Sequence, residues 1–415
     1  MATDVDVQFF SHLNGLVLDN NWGDLIRLLD TCLVNGLPLT AITSATIDAQ
    51  GDITLNLYAD HKCLLFQIIE LTGFAPNELN GKYRIKGIPS ANQLILKATH
   101  TGKSITTTGT AKLAPLGYEI IFRDPNDVKR VYRAKDPSAQ HPFIRVDETI
   151  SDGVNSYNSA YAKYAMVGLI EHMTHIDDYT DPDKLQLPLD TSDFKKNWKI
   201  TGTGDSVVRG WAKWYWATDL NYNDYFYESN VPGSAHRTFT LCGDKDVFYL
   251  MLSAMNQYQK QVFAAGIYES ALDITNWFLF ATMDSSPAYQ SRQFGALPGG
   301  APLTINQYAG SFLTVKNSII ISNHVKSYGV MPDSLSGGNT NYNNQIAALD
   351  IPIFDEDKYL LGTLKHIKYM GRPIESQGVT PVIAGKSMYI KDNVRIQAVN
   401  QSSTGGFYFY LGELE

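Results

Sequence analysis

Cysteine is scarce in this chain of 415 residues: Cys32, Cys63 and Cys242 are an odd number of thiols. A disulfide scaffold would need dense, paired cysteines, so the expectation is folding in a reducing cytoplasm. Charge is also thin, at 18% of residues, with 34 Lys and Arg against 42 Asp and Glu and a net charge of −8. Coating nucleic acid takes clustered cations that release phosphate counterions, and no such stripe is present. KRVYR, Lys129 to Arg133, reads instead as the wet face of a strand. Long apolar runs are missing: Ala271 to Met283 is broken by Asp273 and Asn276, far short of the ~20 residues of a membrane helix. The opening MATDVDVQFF lacks the basic start of a secretory signal.

What the chain does have is 24 Tyr, 18 Phe, 32 Gly and 17 Pro. Aromatics with many turn formers and few charges predict a strand-rich body with much neutral polar surface. Disorder is excluded as the dominant state, because that composition can bury enough apolar surface to offset chain entropy. The fold class read from this is mainly β with a few helices (α+β), multidomain, in sandwich-like or barrel-like modules with long loops.

Leu25, Ile26, Leu28, Leu29, Cys32 and Leu33 fall on one broad helical face, predicting a helix from Trp22 to Asn35. Asn20 or Asn21 is the candidate cap, and Gly36 with Pro38 the stop. From Leu39 to Leu116 the period drops to two, with AQGD as a hairpin turn and Thr101 to Leu113 as an exposed edge strand or loop. Three units are expected: 1–40 with 117–300 as the main structural domain, 41–116 as an inserted all-β module, and 301–415 as a C-terminal β-rich region. Insertion at a surface turn is thermodynamically mild, since loop-closure cost grows only logarithmically with length. RTFTLCGDKDVFYLML reads as a hairpin across GDKD, and Val262 to Ala281 as one or two further strands.

Candidate chemistry is sparse. EHMTHIDDYTDPD gathers His172, His175, Asp177, Asp178, Asp181 and Asp183, but it is neither HExxH nor a calcium loop, and reads as a solvated acidic loop. TGTGDS, Thr201 to Ser206, has only GxG and is read as a turn. No GxSxG elbow occurs, and no cysteine lies in a nucleophile context. Neither a metal nor a cofactor is expected, and no catalytic residue is assigned. The remaining candidates are aromatic: Trp211, Trp214, Tyr215, Trp216, Tyr222, Tyr225, Phe226 and Tyr227. On a strand, Trp214 and Trp216 share one face and Tyr215 takes the other, predicting core on one side and a subunit interface on the other.

Two stretches carry a resemblance. ITSATIDAQGDITLNLYADHKCLLFQIIELTGFAPNELNGKYRIKGIPSANQLILKA resembles a small β module of tailed-phage virion proteins, through Asp60, His61, Gly73, Pro76, Asn80, Gly81, Tyr83, Ile85 and Ser90 to Asn92. LIRLLDTCLVNG, VKRVYRAKDPSAQHPFIRVDET and FTLCGDKDVFYLML occur in the order found in a family of phage virion structural proteins. That resemblance implies a non-enzymatic component of a tail or baseplate, or else a neck or collar protein at the head–tail junction. It implies several copies around a symmetry axis, as a homo-oligomer touching tail tube, sheath, baseplate or neck subunits. It would be assembled in the host bacterial cytoplasm, with no sequence-specific nucleic acid and no membrane as partner. A rival from another class is a tail protein that binds or degrades host glycan.

Overall fold

The computed structural model describes residues 5–138, 141–219, 225–253, 260–283, 291–293, 310–315, 324–326, 328–329, 348–354, 359–369, 378–398 and 401–414. The chain is mainly β, built from several sheets, and its strand ladders are antiparallel throughout the described residues. Strand β1 (Gln8–Ser11) precedes a short helix, α1 (Asp24–Leu29), which continues as a π-helical turn over Asp30–Asn35. The helical stretch thus covers most of the span expected from periodicity, but its cap differs. Gly23 takes the N-cap position with left-handed φ, and the carboxylate of Glu148, a distant residue, accepts from the Gly23 and Ile26 amides. A carboxylate there answers the unpaired N–H groups and the positive end of the helix at once. Gly36 ends it at φ +74°, where an added Cβ would lie 2.3 Å from the Leu113 carbonyl oxygen.

Seven strands follow: β2 (Leu37–Pro38), β3 (Ile42–Ile47), β4 (Ile53–Leu57), β5 (Ile68–Thr72), β6 (Gly81–Ser90), β7 (Gln93–Leu96) and β8 (Thr110–Leu113). They form their own sheet in the order β2-β8-β5-β6-β7-β4-β3. The Thr-rich stretch expected at an edge is divided: Thr110–Leu113 is strand between β2 and β5, and the residues before it loop over the AQGD turn. The His100 amide bonds the Gly51 carbonyl, which accounts for the loop's position.

The main sheet has thirteen strands, beginning with β1. It continues through β9 (Tyr118–Arg123), β10 (Lys129–Ala134), β11 (Phe143–Asp147), β12 (Lys163–Ile170) and the short β13 (Gln186–Leu187). Two-residue strands β14 (Ile200–Thr201) and β15 (Val208–Arg209) pair with each other before the main sheet resumes with β16 (Ala212–Ala217). Strand β17 (Tyr225–Tyr227) leads to β18 (Phe239–Gly243), β19 (Val247–Leu252), β20 (Gln261–Ile267) and β21 (Trp277–Met283). Strand β17 pairs with β22 (Ser291–Gln293), while β23 (Gly310–Val315) pairs with β21 and with β24 (His324–Lys326). The main sheet therefore runs past residue 300, where the sequence suggested a boundary. A six-stranded sheet closes the chain: β25 (Tyr328–Gly329), β26 (Leu349–Phe354), β27 (Leu360–Tyr369), β28 (Thr380–Ala384), β29 (Ser387–Ala398) and β30 (Gln401–Glu413). The GGNTNYNN loop and SIIISN run lie outside the described residues.

Both faces of the central strands are apolar because both are covered. In β19, Phe248, Leu250 and Leu252 join the core shared with α1 and the seven-stranded sheet, whereas Val247, Tyr249 and Met251 pack with Ile367, Met388, Ile390, Phe407 and Phe409 of the last sheet. The pleat sends successive side chains to opposite faces, so a strand buried on both sides reads as the unbroken run VFYLML. The reading of KRVYR as a wet face is corrected here. Arg130 is 2% exposed. Its guanidinium pairs with Asp30 of the π turn at 3.2 Å, and the Tyr132 hydroxyl donates to the other Asp30 oxygen at 2.7 Å. Their side of β10 faces the helix, and a buried cation there needs that carboxylate.

Candidate functional site

The aromatic candidates meet at β16 and the elements around it. Trp214, Tyr215 and Trp216 are all fully buried within the single chain, so both faces of this strand are interior, instead of one core face and one outward face. The reason is the layering: β16 lies in the middle of the main sheet, between β12 and β21. The Trp214 indole N–H donates to the Phe280 carbonyl at 2.7 Å, and its ring packs against Phe248 and Phe263. Trp216 meets Trp22 edge-on at 5.6 Å, and Tyr215 lies 4.8 Å from Tyr164. Trp211 is nearly buried, with the Lys196 ammonium 4.2 Å above its ring. Tyr225, Phe226 and Tyr227 form β17, and Tyr222 lies outside the described residues.

Charges are drawn into the same place. Lys213, wholly buried on β16, donates to Glu228 at 3.1 Å, and the Tyr215 hydroxyl donates to the same carboxylate oxygen. The Tyr164 hydroxyl reaches its second oxygen at 3.5 Å. Arg209 stacks 4.5 Å from the Tyr164 ring, 4.9 Å from Trp22 and 5.3 Å from Tyr157, while donating to the Thr149 and Tyr164 carbonyls. A guanidinium between ring faces keeps part of the electrostatic stabilisation it loses on leaving water. Burial pushes the Lys163 ammonium down to about 8, helped by the nearby Arg237 charge. It pushes the Glu148 carboxyl up to about 7, against the opposing pull of the Gly23 and Ile26 amides. Tyr164 is raised for the same reason.

This is a closed cluster. Its acids and bases point at one another, at rings and at backbone groups, and its chemistry is to hold β12, β16, the segment after β17, and α1 together. The charged members were not among the sequence candidates. The usable signal was Arg209 and Lys213 set inside the apolar run VRGWAKWYW, since a charge in a doubly buried strand demands a partner.

The acidic loop is likewise occupied by its own fold. Asp178 accepts from the Thr174 and His175 amides and the Thr174 hydroxyl, which holds its carboxyl well below the usual range. Asp177 and Asp147 bind the buried Arg145, whose guanidinium lies between Trp198, at 4.3 Å, and Tyr179, at 4.7 Å. Asp181 lies 3.7 Å from Lys184, and His172 packs edge-on against Phe143. Among the described residues no group of three or more His, Cys, Asp or Glu is placed to hold a metal ion, and no helix is long and apolar enough to cross a membrane. Of Thr201 to Ser206, Thr201 ends β14 and the rest is a turn with a 3-10 helix over Gly204–Ser206. All three cysteines are buried, with Cys63 pushed up to about 12 by burial, the opposite of an activated thiol.

No family model matches the chain, and no curated protein does. Among solved structures it is similar to the phage phi92 endosialidase. The identity is 10% and the TM-score 0.15, over 91% of this chain and 52% of that one. The chain thus spans about half the length of that endosialidase. A superposition at that score does not define a common fold.

Proposed function

We propose that the chain is a non-enzymatic structural component of a bacteriophage virion, most naturally of the tail or baseplate, working in several copies against neighbouring tail proteins. The observation that carries this reading is how the motifs of the resemblance meet in space. Asp30 of LIRLLDTCLVNG binds Arg130 and Tyr132 of VKRVYR. Glu148, which follows FIRVD, caps the helix that carries Asp30. Asp246 of the GDKD hairpin binds His141 of SAQHP at 2.9 Å. The ordered motifs are therefore one set of interlocking contacts, which supports reading them together as a family's framework instead of as separate short matches. The interior location of the acid and base groups around β16 supports the non-enzymatic part as far as that cluster goes, because a substrate needs an open side. Fold alone does not carry function, so the assignment rests on where the protein is found. Peptide mass spectrometry of density-purified particles should recover this chain. Its absence from mature particles, with other tail proteins present, overturns the reading.

A further inference from the structure

Lys260 and Asp392 form another buried pair, 132 residues apart, on different sheets. Lys260 immediately precedes β20 of the main sheet, and Asp392 lies on β29 of the last sheet. The ammonium nitrogen is 2.5 Å from Asp392 Oδ2, and the two residues are 1% and 0% exposed. Thr240 on β18 bridges them: its hydroxyl donates to Asp392 Oδ2 at 2.6 Å and lies 3.2 Å from Lys260 Nζ. The flanking residues Met251, Val262, Met388 and Ile390 belong to the apolar core between the sheets. An amine and a carboxyl are thus held together in a dry site, beside a hydroxyl able to relay a proton.

We propose that Lys260 and Asp392 condense into an intramolecular amide that joins the main sheet covalently to the C-terminal sheet. The proton balance closes within the pair. The ammonium passes one proton to Asp392 Oδ2, leaving a neutral amine and a neutral carboxylic acid as the reacting forms. The Lys260 nitrogen then attacks Asp392 Cγ. The new N–Cγ bond forms, the Cγ–Oδ2 bond breaks, and Oδ2 leaves as water with two of the three ammonium protons. No oxidant or other co-reactant enters. Fixing the two groups in contact supplies the high effective concentration that free amines and carboxylates lack in water. Exclusion of solvent removes the water that would drive hydrolysis, and the product replaces two buried charges with one neutral amide. Thr240 acts as a positioning residue, orienting Oδ2 as the leaving group.

The test is a tryptic map of the purified full chain after complete denaturation. Trypsin cleaves after a free lysine and not after an acylated one. The expected result is a joined pair of peptides carrying Lys260 and Asp392, lighter by one water than the sum of its parts and uncut after Lys260. The variant Asp392→Ala should release both peptides at their sequence masses. Recovery of separate peptides from the wild-type chain, with cleavage after Lys260, overturns the proposal. A joined pair that persists in Asp392→Ala overturns the assignment to this carboxyl.

Discussion

Lys213 and Glu228 illustrate what a buried charge costs when its partner is removed. Lys213→Met removes the ammonium that pairs with the buried Glu228 carboxylate, and should destabilise the chain by ~3–5 kcal/mol. The double variant Lys213→Met/Glu228→Gln should lose less than the sum of the two single changes, as urea unfolding will measure. Trp214→Ala should also cost ~3–5 kcal/mol, since it empties a fully buried indole site and removes the indole hydrogen bond to the Phe280 carbonyl. Glu148 gives a pH dependence of defined sign. Its carboxyl rises from 4.5 to about 7 on folding, so between those values the folded chain holds more protons than the unfolded one. Its contribution is most favourable below pH 4.5 and is lost as pH rises through about 7, on the order of 3 kcal/mol in all. Glu148→Gln should flatten that part of the melting-temperature profile, and an unchanged slope would remove Glu148 as its source. The aromatic positions were legible from composition and alternation. Their charged partners were not, because Glu228 and Glu148 pair across the fold with residues that no local pattern links to them.

At the scale of elements, periodicity and the Gly36 stop located the helix and its end, but not its π turn or the cap at its start. The same apolar face serves an α-helix and a π turn, and a cap supplied by a carboxylate 125 residues away leaves no local signature. The hairpins were legible because their turns carry glycine where the backbone needs it. Inside strand β20, Gly266 meets a different need: at φ +148° an added Cβ would lie 2.3 Å from the Asp246 carbonyl oxygen across the β19–β20 ladder. Gly266→Ala should therefore destabilise by at least ~1–3 kcal/mol, and faster hydrogen exchange confined to β19 and β20 would locate the damage. KRVYR misled because alternating charge usually marks a wet face. Here the second charged residue turns inward to meet the helix, a partner that a strand pattern cannot display.

Over the whole molecule, the sheets are tied by polar contacts that span long stretches of sequence. Asp246 holds both His141 and Lys365, Asp244 holds His366, and the buried Arg84 donates to the carbonyls of Val7, Phe66 and Leu411. Asp246→Asn should weaken the tie between the main and last sheets. The expected signature is faster exchange in β27 with β3 and β4 unchanged, and uniform protection in both would remove Asp246 from that role. The mainly β class was legible from composition because it is a property of the chain as a whole. The layering was not, because β23 crosses the suggested boundary at residue 300 to pair with β21. The aromatic strand is buried on both sides of the single chain, and the virion reading is best tested by counting the protein in particles. Isotope-dilution mass spectrometry should find several copies per purified particle, in a ratio to the other tail proteins that is constant between preparations. Absence, or trace amounts that vary from one preparation to the next, would contradict it.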